Sequence, residues 1–543
     1  MREFYETISE ALATGLYRSK ELRPSKPGLS ICINARPCED GLREVVKPRD
    51  LTQDALGDIT LWPFPAVFQY AGGSMILCTR TGIYTLEADV AGTLTALLTS
   101  GIAANYWTMA DFHGYFVLTD GTGAVYDAVI GTNPPFPYYT VAANSNMPAL
   151  YAVCNFNGML VGVGKSGNTG DGDRNWVWYS HIGGAARDAL FTMGEGSDAG
   201  NFQLNTPGHG LQVKKLSFGG RDAVIVYGER SITQLVPNDG NPVFAFGQRQ
   251  LASFGIAGVY AVAGDDNMHI FVSSAGDVWR LNAQGLEKLG YSRHIHPMIA
   301  MHEPAIEGQH ARVVVTHNPF DDEFYICDDE VGYVLTKTGL GQTPYLVAPT
   351  YGYGNVGGTR RHTTDTWSHG GHDYNYNIYN QFTPQGFRAP YMVALYGATD
   401  CNVVIASGRL NMRTQSIKTI SALDAEFSIR TKELSSTVRR PSGFVDYRYN
   451  AYQQFADEGL MQWQPMRRVS NIQFFDGTSA MVTVAGREFR IGFEFPWCYT
   501  ALGQVYLPVE FHLSQLGCRF KYTDKQHIRG AYANPQSAAF ANQ

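Results

Sequence analysis

Residues 213–235 read VKKLSFGGRDAVIVYGERSITQL, three short runs rich in β-branched and apolar residues with turn residues between them. The glycine pair at 219–220 separates the first run from the second, and the polar segment 228–231 separates the second from the third. β-branched and aromatic residues favour strands, and glycine-containing pairs favour the tight turns of hairpins. The stretch therefore predicts three successive antiparallel strands.

The same order of strand, turn and strand recurs about six times between residues 60 and 345. Successive repeats are about 40 to 60 residues apart, and each predicts three or four strands, which is typical of β-propeller blades. Radial stacking of small sheets protects edges that an isolated sheet would expose. A series of ordinary β-sandwiches is the alternative. The predicted turns lie at residues 72–73, 113–114, 157–158, 219–220, 265–267 and 319–322.

The composition agrees with an all-β chain. Its 543 residues include 58 Gly and 31 Tyr, and aromatic residues make up 13%. Hydrophobic residues make up 44% and charged residues 17%, which is enough apolar surface for packed cores. The predicted fold class is a β-propeller of about six blades with an additional β-rich domain, formed by the C-terminal region and the N-terminal arm.

Five regions are predicted along the chain. Residues 1–55 form an N-terminal helix and an extended docking arm, in which prolines exclude a long helix. The propeller covers 56–350, and a loop rich in Tyr, Asn, Gly and His covers 351–389. A second β-rich region, a ring or nozzle domain, covers 390–530, and 531–543 is a polar tail.

The N-terminus predicts a short amphipathic helix over residues 3–16. Its apolar residues recur every four positions from Phe4 to Leu16, with glutamates interspersed. This pattern does not match a secretory signal peptide, which would begin with a basic segment followed by an apolar one.

The charges are unevenly spread. The formal net charge is −7, to which residues 1–50 contribute +1, residues 51–400 −13 and residues 401–543 +5. The acidic middle argues against a nucleic-acid grip there. In the basic C-terminal part, the adjacent cationic pairs are Arg439–Arg440 and Arg467–Arg468, so we expect the free subunit to bind DNA poorly.

The eight cysteines form no Cys-x-x-Cys pair, and several lie in apolar runs. Buried free thiols made in a reducing compartment are the expectation. No run of 18 apolar residues is present, so no membrane span is predicted. The cysteines are Cys32, Cys38, Cys78, Cys154, Cys327, Cys401, Cys498 and Cys518.

A glycine-rich segment, 162–167, matches part of two phosphate-binding motifs. A dinucleotide fingerprint must open a helix, but a polar, Gly-rich stretch follows here. A P-loop requires glycine where Met159 stands. We therefore expect an inter-strand loop.

Two further groups resemble metal sites. Asp171, Asp173 and Asn175 have the spacing of a calcium loop, but Trp176 occupies the glycine position and Ile182 the final glutamate position, so a solvated turn is expected. The histidine cluster matches no standard site spacing. This cluster comprises His362, His369 and His372 with Asp365 and Asp373.

Acidic pairs could serve a glycosidase, since such enzymes use two carboxylates. Each pair, however, lies at a predicted turn, where Asp is favoured for local hydrogen bonding. We therefore predict no catalytic residues, no cofactor, no metal, and a chain that is not an enzyme. The acidic groups are 265–266, 321–323 and 328–330.

Several short motifs follow one another in a fixed order within residues 176–281, and weaker ones lie nearer the two ends of the sequence. The motifs are Trp178 to Ser180, 186–191, 222–232, 248–257 and 270–281, with weaker similarity at 15–16, 34–43 and 520–530. In this order they resemble the tail nozzle, or packaged-DNA stabilisation (tail hub), proteins of short-tailed bacteriophages, and the resemblance covers about half of the chain.

The resemblance implies a structural protein of the virion tail that is assembled in the host cytoplasm. Such proteins form a closed ring, usually of six copies, below the portal and adaptor proteins, and tail fibres or spikes dock on them. They retain packaged DNA and gate its ejection without specific binding and without a small-molecule substrate. The alternatives are a carbohydrate-active or carbohydrate-binding propeller, and another tail component such as a fibre-docking protein.

Overall fold

The chain forms two compact units. The first comprises Met1–Val46, Tyr333–Pro344 and Tyr396–Gln543, and we call it the terminal unit; the second comprises Lys47–Gly332 and Tyr345–Leu395, and we call it the propeller unit. A computed structural model describes residues 3–18, 28–44, 66–69, 75–86, 94–113, 115–130, 139–166, 174–182, 189–194, 197–238, 246–300, 313–318, 322–328, 331–343, 350–351, 401–412, 416–431, 441–449, 452–454, 461–463, 465–474, 478–501, 504–506 and 508–523.

The N-terminal segment belongs to the terminal unit and contributes four strands and one short helix. They are β1 (Phe4–Thr7), α1 (Ser9–Thr14), β2 (Leu29–Ile33), β3 (Ala35–Cys38) and β4 (Gly41–Glu44).

The propeller unit follows with strands that pair mainly with their neighbours in the chain. Its elements are β5 (Ala66–Gln69), β6 (Met75–Cys78), β7 (Ile83–Leu86), β8 (Leu94–Leu98), β9 (Thr108–Phe112), β10 (Tyr115–Thr119), β11 (Val125–Ile130), β12 (Tyr139–Ala143), β13 (Leu150–Phe156), β14 (Met159–Gly164), β15 (Trp176–Tyr179), β16 (Gly200–Gln203), β17 (Gly210–Phe218), β18 (Arg221–Gly228), β19 (Ile232–Pro237), β20 (Phe246–Ala252), β21 (Val262–Gly264), β22 (Met268–Val272), β23 (Val278–Asn282), β24 (Gly285–Gly290), α2 (Ser292–Ala300), β25 (Val314–Asn318) and β26 (Glu323–Cys327).

These strands confirm the predicted β-propeller. Five antiparallel sheets each take four successive strands, β5–β8, β9–β12, β13–β16, β17–β20 and β21–β24, and β25 and β26 form a further antiparallel hairpin. The first sheet also accepts β29 (Thr350–Tyr351), which runs parallel to β5.

The opening stretch shows why the blades form. Phe218 of β17 pairs with Arg221 of β18 across Gly219 and Gly220, whose φ angles are 58° and 98°. Two consecutive positive φ angles define the hairpin turn that matches the twist of the flanking strands, and glycine adopts them without strain. The glycine pair therefore sets the register that buries Val224 and Val226.

Apolar side chains of neighbouring blades fill the space between them. Val161 and Val163 of β14 share one core cluster with Val224 and Val226 of β18. Full burial of a valine side chain stabilises the fold by ~1.5 kcal/mol or more. A blade is thus stabilised by its neighbours as well as by its own hydrogen bonds.

The remainder of the terminal unit follows in the chain. Its strands are β27 (Gly332–Leu335), β28 (Leu340–Thr343), β30 (Cys401–Ser407), β31 (Lys418–Thr431), β32 (Ser442–Arg448), β33 (Tyr452–Gln454), β34 (Met461–Trp463), β35 (Arg467–Gln473), β36 (Ser479–Gly486), β37 (Glu488–Ala501), β38 (Gln504–Tyr506) and β39 (Pro508–Tyr522).

Two sheets of the terminal unit combine strands from both parts of the chain. One has the order β3-β4-β39-β31-β36, with β1 also paired to β39. The other contains the order β28-β2-β30-β37-β32-β35, with β38 paired to β37. Phenylalanine rings of β31 and β39 contact rings of β37, as in Phe427–Phe493 at 5.2 Å and Phe493–Phe511 at 6.0 Å between centroids. The sheets therefore share a phenylalanine core.

The predicted helix over residues 3–16 is wrong in its first half. Residues 4–7 form β1, whose Phe4 pairs with Phe520 of β39, and only Ser9–Thr14 is helical. The pairing satisfies backbone groups along β39 and leaves Phe4 37% exposed, whereas Leu12 and Leu16 are buried. Apolar residues at every fourth position are compatible with a helix throughout, so this spacing does not reveal that residues 4–7 form a strand before the helix.

Most of the described cysteines are buried, and the described helices are short. Five cysteines are buried, namely Cys32, Cys78, Cys154, Cys327 and Cys518, which confirms the expectation of buried free thiols for them, whereas Cys38 is only half-buried. Neither helix in this part of the chain combines the length and the apolar character needed to cross a membrane.

Candidate functional site

A carboxylate between two arginines joins three strands of the terminal unit. Asp446 of β32 lies opposite Arg468 of β35 and Arg490 of β37 in the strand register. Arg468 donates from Nε to Oδ1 at 2.7 Å and from Nη2 to Oδ2 at 3.1 Å, and Arg490 donates from Nε to Oδ2 at 2.7 Å. The Asp446 side chain is only 3% exposed. We call these three residues the Asp446 cluster.

The Asp446 cluster includes one arginine of the adjacent pair Arg467–Arg468. The Arg468 guanidinium lies 4.1 Å from the centroid of the Phe444 ring, and its hydrogen bonds to Asp446 raise its pKa. Bidentate pairing and ring stacking both fix the guanidinium plane. The Arg468 guanidinium is therefore held by contacts within the sheet. The other pair, Arg439–Arg440, lies outside the described residues.

A second cluster joins β31, β36 and β39. Arg519 donates from Nε to Asp424 Oδ2 at 3.0 Å and from Nη2 to Oδ1 at 2.9 Å, and it also contacts Ser479 Oγ at 2.7 Å. Glu3, just before β1, accepts a hydrogen bond from Ser421 Oγ at 2.7 Å, and this bond lowers the pKa of the Glu3 carboxyl. The N-terminal strand thus docks through polar contacts as well as backbone pairing.

Several large apolar side chains of the terminal unit are exposed. Met481 of edge strand β36 is 74% exposed, Tyr5 45% and Tyr449 44%. Phe4 packs on the rings of Phe520 and Tyr522, at 5.6 and 5.2 Å between centroids. Aromatic and methionine side chains are enriched at protein interfaces, so these residues are candidates for contacts with another protein chain.

The acidic turns of the propeller unit make local contacts. Asp265 Oδ1 accepts hydrogen bonds from the backbone nitrogens of Asn267 at 2.9 Å and Met268 at 3.1 Å. Asp266 pairs with Lys215 at 3.1 Å between Oδ2 and Nζ. Such bonds are the usual role of Asp in turns.

The remaining acidic groups are only partly described. Asp328 Oδ1 accepts a hydrogen bond from the backbone nitrogen of Val331 at 2.6 Å. Glu323 lies in β26 and is 4% exposed. Asp321, Asp329 and Glu330 lie outside the described residues.

The glycine-rich segment 162–167 is not simply a loop. Gly162 and Gly164 lie within β14, and Gly162 pairs with Val153 on one side and Trp178 on the other. A Cβ at Gly164 would meet the carbonyl oxygen of Ala149 at 2.3 Å. Close approach of neighbouring backbone therefore explains this glycine, and the expectation of a loop is wrong for residues 162–164.

The candidate calcium and histidine groups fall largely outside the described residues. Asp171 and Asp173 lie there, as do His362, His369, His372, Asp365 and Asp373. Asn175 is described and buried, and its backbone oxygen accepts a hydrogen bond from Leu204 at 2.8 Å. Asn175 therefore has a structural contact within its blade.

A cysteine, an aspartate and a histidine, three residue types that bind metal ions, lie close together in the terminal unit. The sequence did not predict this group. Cys38 ends β3, Asp40 lies in the turn to β4, and His512 lies on β39, which pairs with β4. The Cys38 thiol donates to Asp40 Oδ1 at 3.0 Å, and His512 Nε2 lies 3.4 Å from Asp40 Oδ2. One ligand atom from each residue lies within 4.8 Å of the other two. We call these residues the Cys38 triad.

No family model matches the chain, and no curated protein matches it either. Among solved structures, the crystal structure of the WD40 β-propeller domain of Doa1 is similar, with 12% sequence identity, a TM-score of 0.32, and coverage of 51% of this chain and 79% of that one. The blade topology described above is what establishes the propeller.

Proposed function

We propose that this chain is a non-enzymatic structural protein of a virus particle, the tail nozzle or hub of a short-tailed bacteriophage. In this role it closes the portal-tail channel, retains packaged DNA and gates its ejection. The observation that carries the proposal is the ordered series of nozzle-like motifs in 176–281. Trp178 lies in β15, residues 222–232 span β18 and the start of β19, and 270–281 cover β22 and β23. The motifs thus follow successive blades.

The terminal unit supports an assembly role. Its exposed aromatic and methionine side chains lie on β1, at the end of β32 and on edge strand β36. Side chains of this kind contribute a large contact area between proteins. We assign to this unit the contacts between neighbouring copies in the ring, which usually has six copies. We also assign to it the contacts with portal or adaptor proteins. Tail fibres or spikes then dock on the propeller unit.

The absence of catalysis belongs to the same proposal. Asp265, Asp266 and Asp328 are occupied by turn hydrogen bonds or by a lysine, so their geometry favours a structural role over paired acid–base chemistry. Assays with glycan, ester and phosphate substrates should remain at buffer background. Turnover that disappears with Asp265→Ala would contradict the proposal.

DNA is proposed to pass through the ring without specific binding. Asp446 pairs with Arg468 and Arg490 of the terminal unit and offsets part of their positive charge, and residues 51–400 carry a net charge of −13. Anisotropy titrations at physiological salt should give a Kd no tighter than about 10⁻⁵ M, within the range of non-specific binding. Submicromolar, salt-sensitive binding by the free subunit would contradict this part of the proposal.

Location in the particle is the decisive test. Virions labelled with gold-conjugated antibody against this chain should carry label at the tail, and averaged images of the tail should show a ring of this protein around a central channel. Label on the capsid shell, or particles without the protein, would overturn the proposed function.

A further inference from the structure

The Cys38 triad brings together three donor types from distant parts of the chain. The β3–β4 turn supplies Cys38 and Asp40, and the pairing of β4 with β39 places His512 opposite Arg43. Sulfur, carboxylate oxygen and imidazole nitrogen then surround one point, with Asp40 3.0 Å from Cys38 and 3.4 Å from His512. Two ligands of one tetrahedral zinc ion lie about 3.3–3.7 Å apart, given zinc–ligand bonds of about 2.0–2.3 Å.

The imidazole of His512 is the second observation. Its Nε2 atom is shielded from solvent and makes no hydrogen bond, although Asp40 Oδ2 lies 3.4 Å away and the side chain as a whole is 31% exposed. A shielded polar atom without a partner carries an energetic cost, and native proteins usually satisfy such atoms with protein, water or an ion. The atom points toward the same carboxylate that binds the thiol, so a cation at the triad would complete its coordination.

We propose that Cys38, Asp40 and His512 form a binding site for a divalent zinc ion, with a fourth position open to water. Thiolate and imidazole together select zinc over calcium and magnesium, which prefer oxygen ligands alone. Three protein ligands with one open position is an arrangement that zinc accepts. The site is independent of the proposed tail function.

Arg43 is a built-in competitor for this site. Its Nη2 atom lies 3.0 Å from Asp40 Oδ2, and its side chain is 50% exposed. Because that side chain can move into solvent, a zinc ion can replace it beside Asp40. Removing the guanidinium should therefore strengthen zinc binding.

Zinc binding must also release one proton. In the metal-free chain the Cys38 thiol carries a proton, which it donates to Asp40 Oδ1 at 3.0 Å. The sulfur–hydrogen bond breaks, the sulfur–zinc bond forms, and the proton passes to solvent. Zinc affinity should accordingly rise with pH.

The test uses the full chain, stripped of metal with a chelator and then loaded with Zn²⁺ or Co²⁺. We expect one equivalent of tightly bound zinc by elemental analysis, and a thiolate-to-cobalt charge-transfer band in the near ultraviolet. Cys38→Ser should abolish the band, and His512→Gln should weaken binding at least ~10-fold. Arg43→Gln should tighten binding.

Glu39→Gln is the matched control, because Glu39 is an exposed acid in the same turn that contributes no ligand atom to the triad. It should leave affinity and spectrum unchanged, and thermal melting should show that every variant folds. Absence of the cobalt band in the folded wild-type chain would overturn the proposal. So would a band that persists in Cys38→Ser, or zinc that is lost only when His362, His369 and His372 are replaced by glutamine.

Discussion

The two units build β-structure from opposite patterns of chain connection. In the propeller unit, β17–β20 form a complete sheet from Gly210–Ala252, and each strand pairs with the next along the chain. In the terminal unit, Phe4 pairs with Phe520, and Ile33 lies between Gln342 and Val404. The comparison shows that the propeller unit depends on local sequence, whereas the terminal unit depends on segments hundreds of residues apart.

The largest test of this contrast is removal of residues 1–46. The deletion removes β1 to β4, including β2 from its position between β28 and β30, so the terminal unit should lose its fold entirely. The five four-stranded blades should remain folded because β5–β8 through β21–β24 pair with one another within residues 66–290. Hydrogen exchange should show free exchange in β31 and β37 and continued protection in β18. Protection of β37 in the truncated chain would mean that the N-terminal strands are dispensable.

Two cavity-forming substitutions, one in each unit, should each destabilise their own unit, and by a smaller amount than the deletion does. Phe271 of the propeller unit and Phe493 of the terminal unit are both fully buried. Replacing either with alanine removes a packed ring and should reduce the free energy of unfolding of its own unit by ~3–5 kcal/mol. Exchange rates measured separately for the two units should show each loss in one unit only. A loss shared equally by both would show that the units unfold as one.

A substitution at Asp446 tests whether the ionic cluster stabilises the terminal unit. Asp446→Asn leaves Arg468 and Arg490 without their shared carboxylate and should cost ~1–3 kcal/mol, because charged hydrogen bonds of a shielded group are lost. Asp265→Asn in the propeller unit is the matched control, since Asn also accepts turn hydrogen bonds. Denaturant titration should show no more than ~0.5 kcal/mol for the control. Equal losses would argue against a special role for the cluster.

The smallest expected effect is a loss of stability of the propeller unit at acidic pH. Burial lowers the pKa of His269 to about 3, and its Nδ1 lies 2.8 Å from Tyr227 Oη. In the unfolded chain the histidine has its ordinary pKa of about 6.5. Below that pH, His269 takes up a proton in the unfolded chain but not in the folded chain. His269 therefore contributes stability that is present above pH 6.5 and is lost as pH falls toward 3. The slope is at most ~1.4 kcal/mol per pH unit.

His269→Gln removes this titration while retaining a group that can hydrogen-bond to Tyr227. Denaturant titrations at pH 7.5 and 5.5 should differ by ~1.4 kcal/mol less in the variant than in the wild-type chain. An unchanged pH dependence would show that His269 is not the group responsible.

The propeller could be predicted because its signals are local. The glycine pair at 219–220 indicates a hairpin without reference to any distant residue. The prediction was wrong where distant pairing decides the outcome. Residues 4–7 become a strand because β39, from the other end of the described chain, pairs with them. The error at Gly162 has a different cause: its partners Val153 and Trp178 lie in the same blade, and the glycine-rich composition concealed the strand.

The site residues of the terminal unit show the same limit more strongly. Cys38 and His512 are separated by most of the chain, so no motif spacing could connect them. Only the pairing of β4 with β39 brings them together. Asp446, Arg468 and Arg490 similarly meet through strand register, which an unaligned sequence does not reveal.

The pairing of β1 with β39 also makes completion of the terminal unit depend on the synthesis of residues 508–522. Phe520 leaves the ribosome roughly 500 residues after Phe4, which is about 25–100 s at ordinary translation rates. During that time the blades can form one after another, while β1 has no partner strand and β4 is paired only with β3. A chain that stops short of β39 can thus carry finished blades but never a finished terminal unit. Chains that end before β39 therefore cannot present the same surface as chains that contain it.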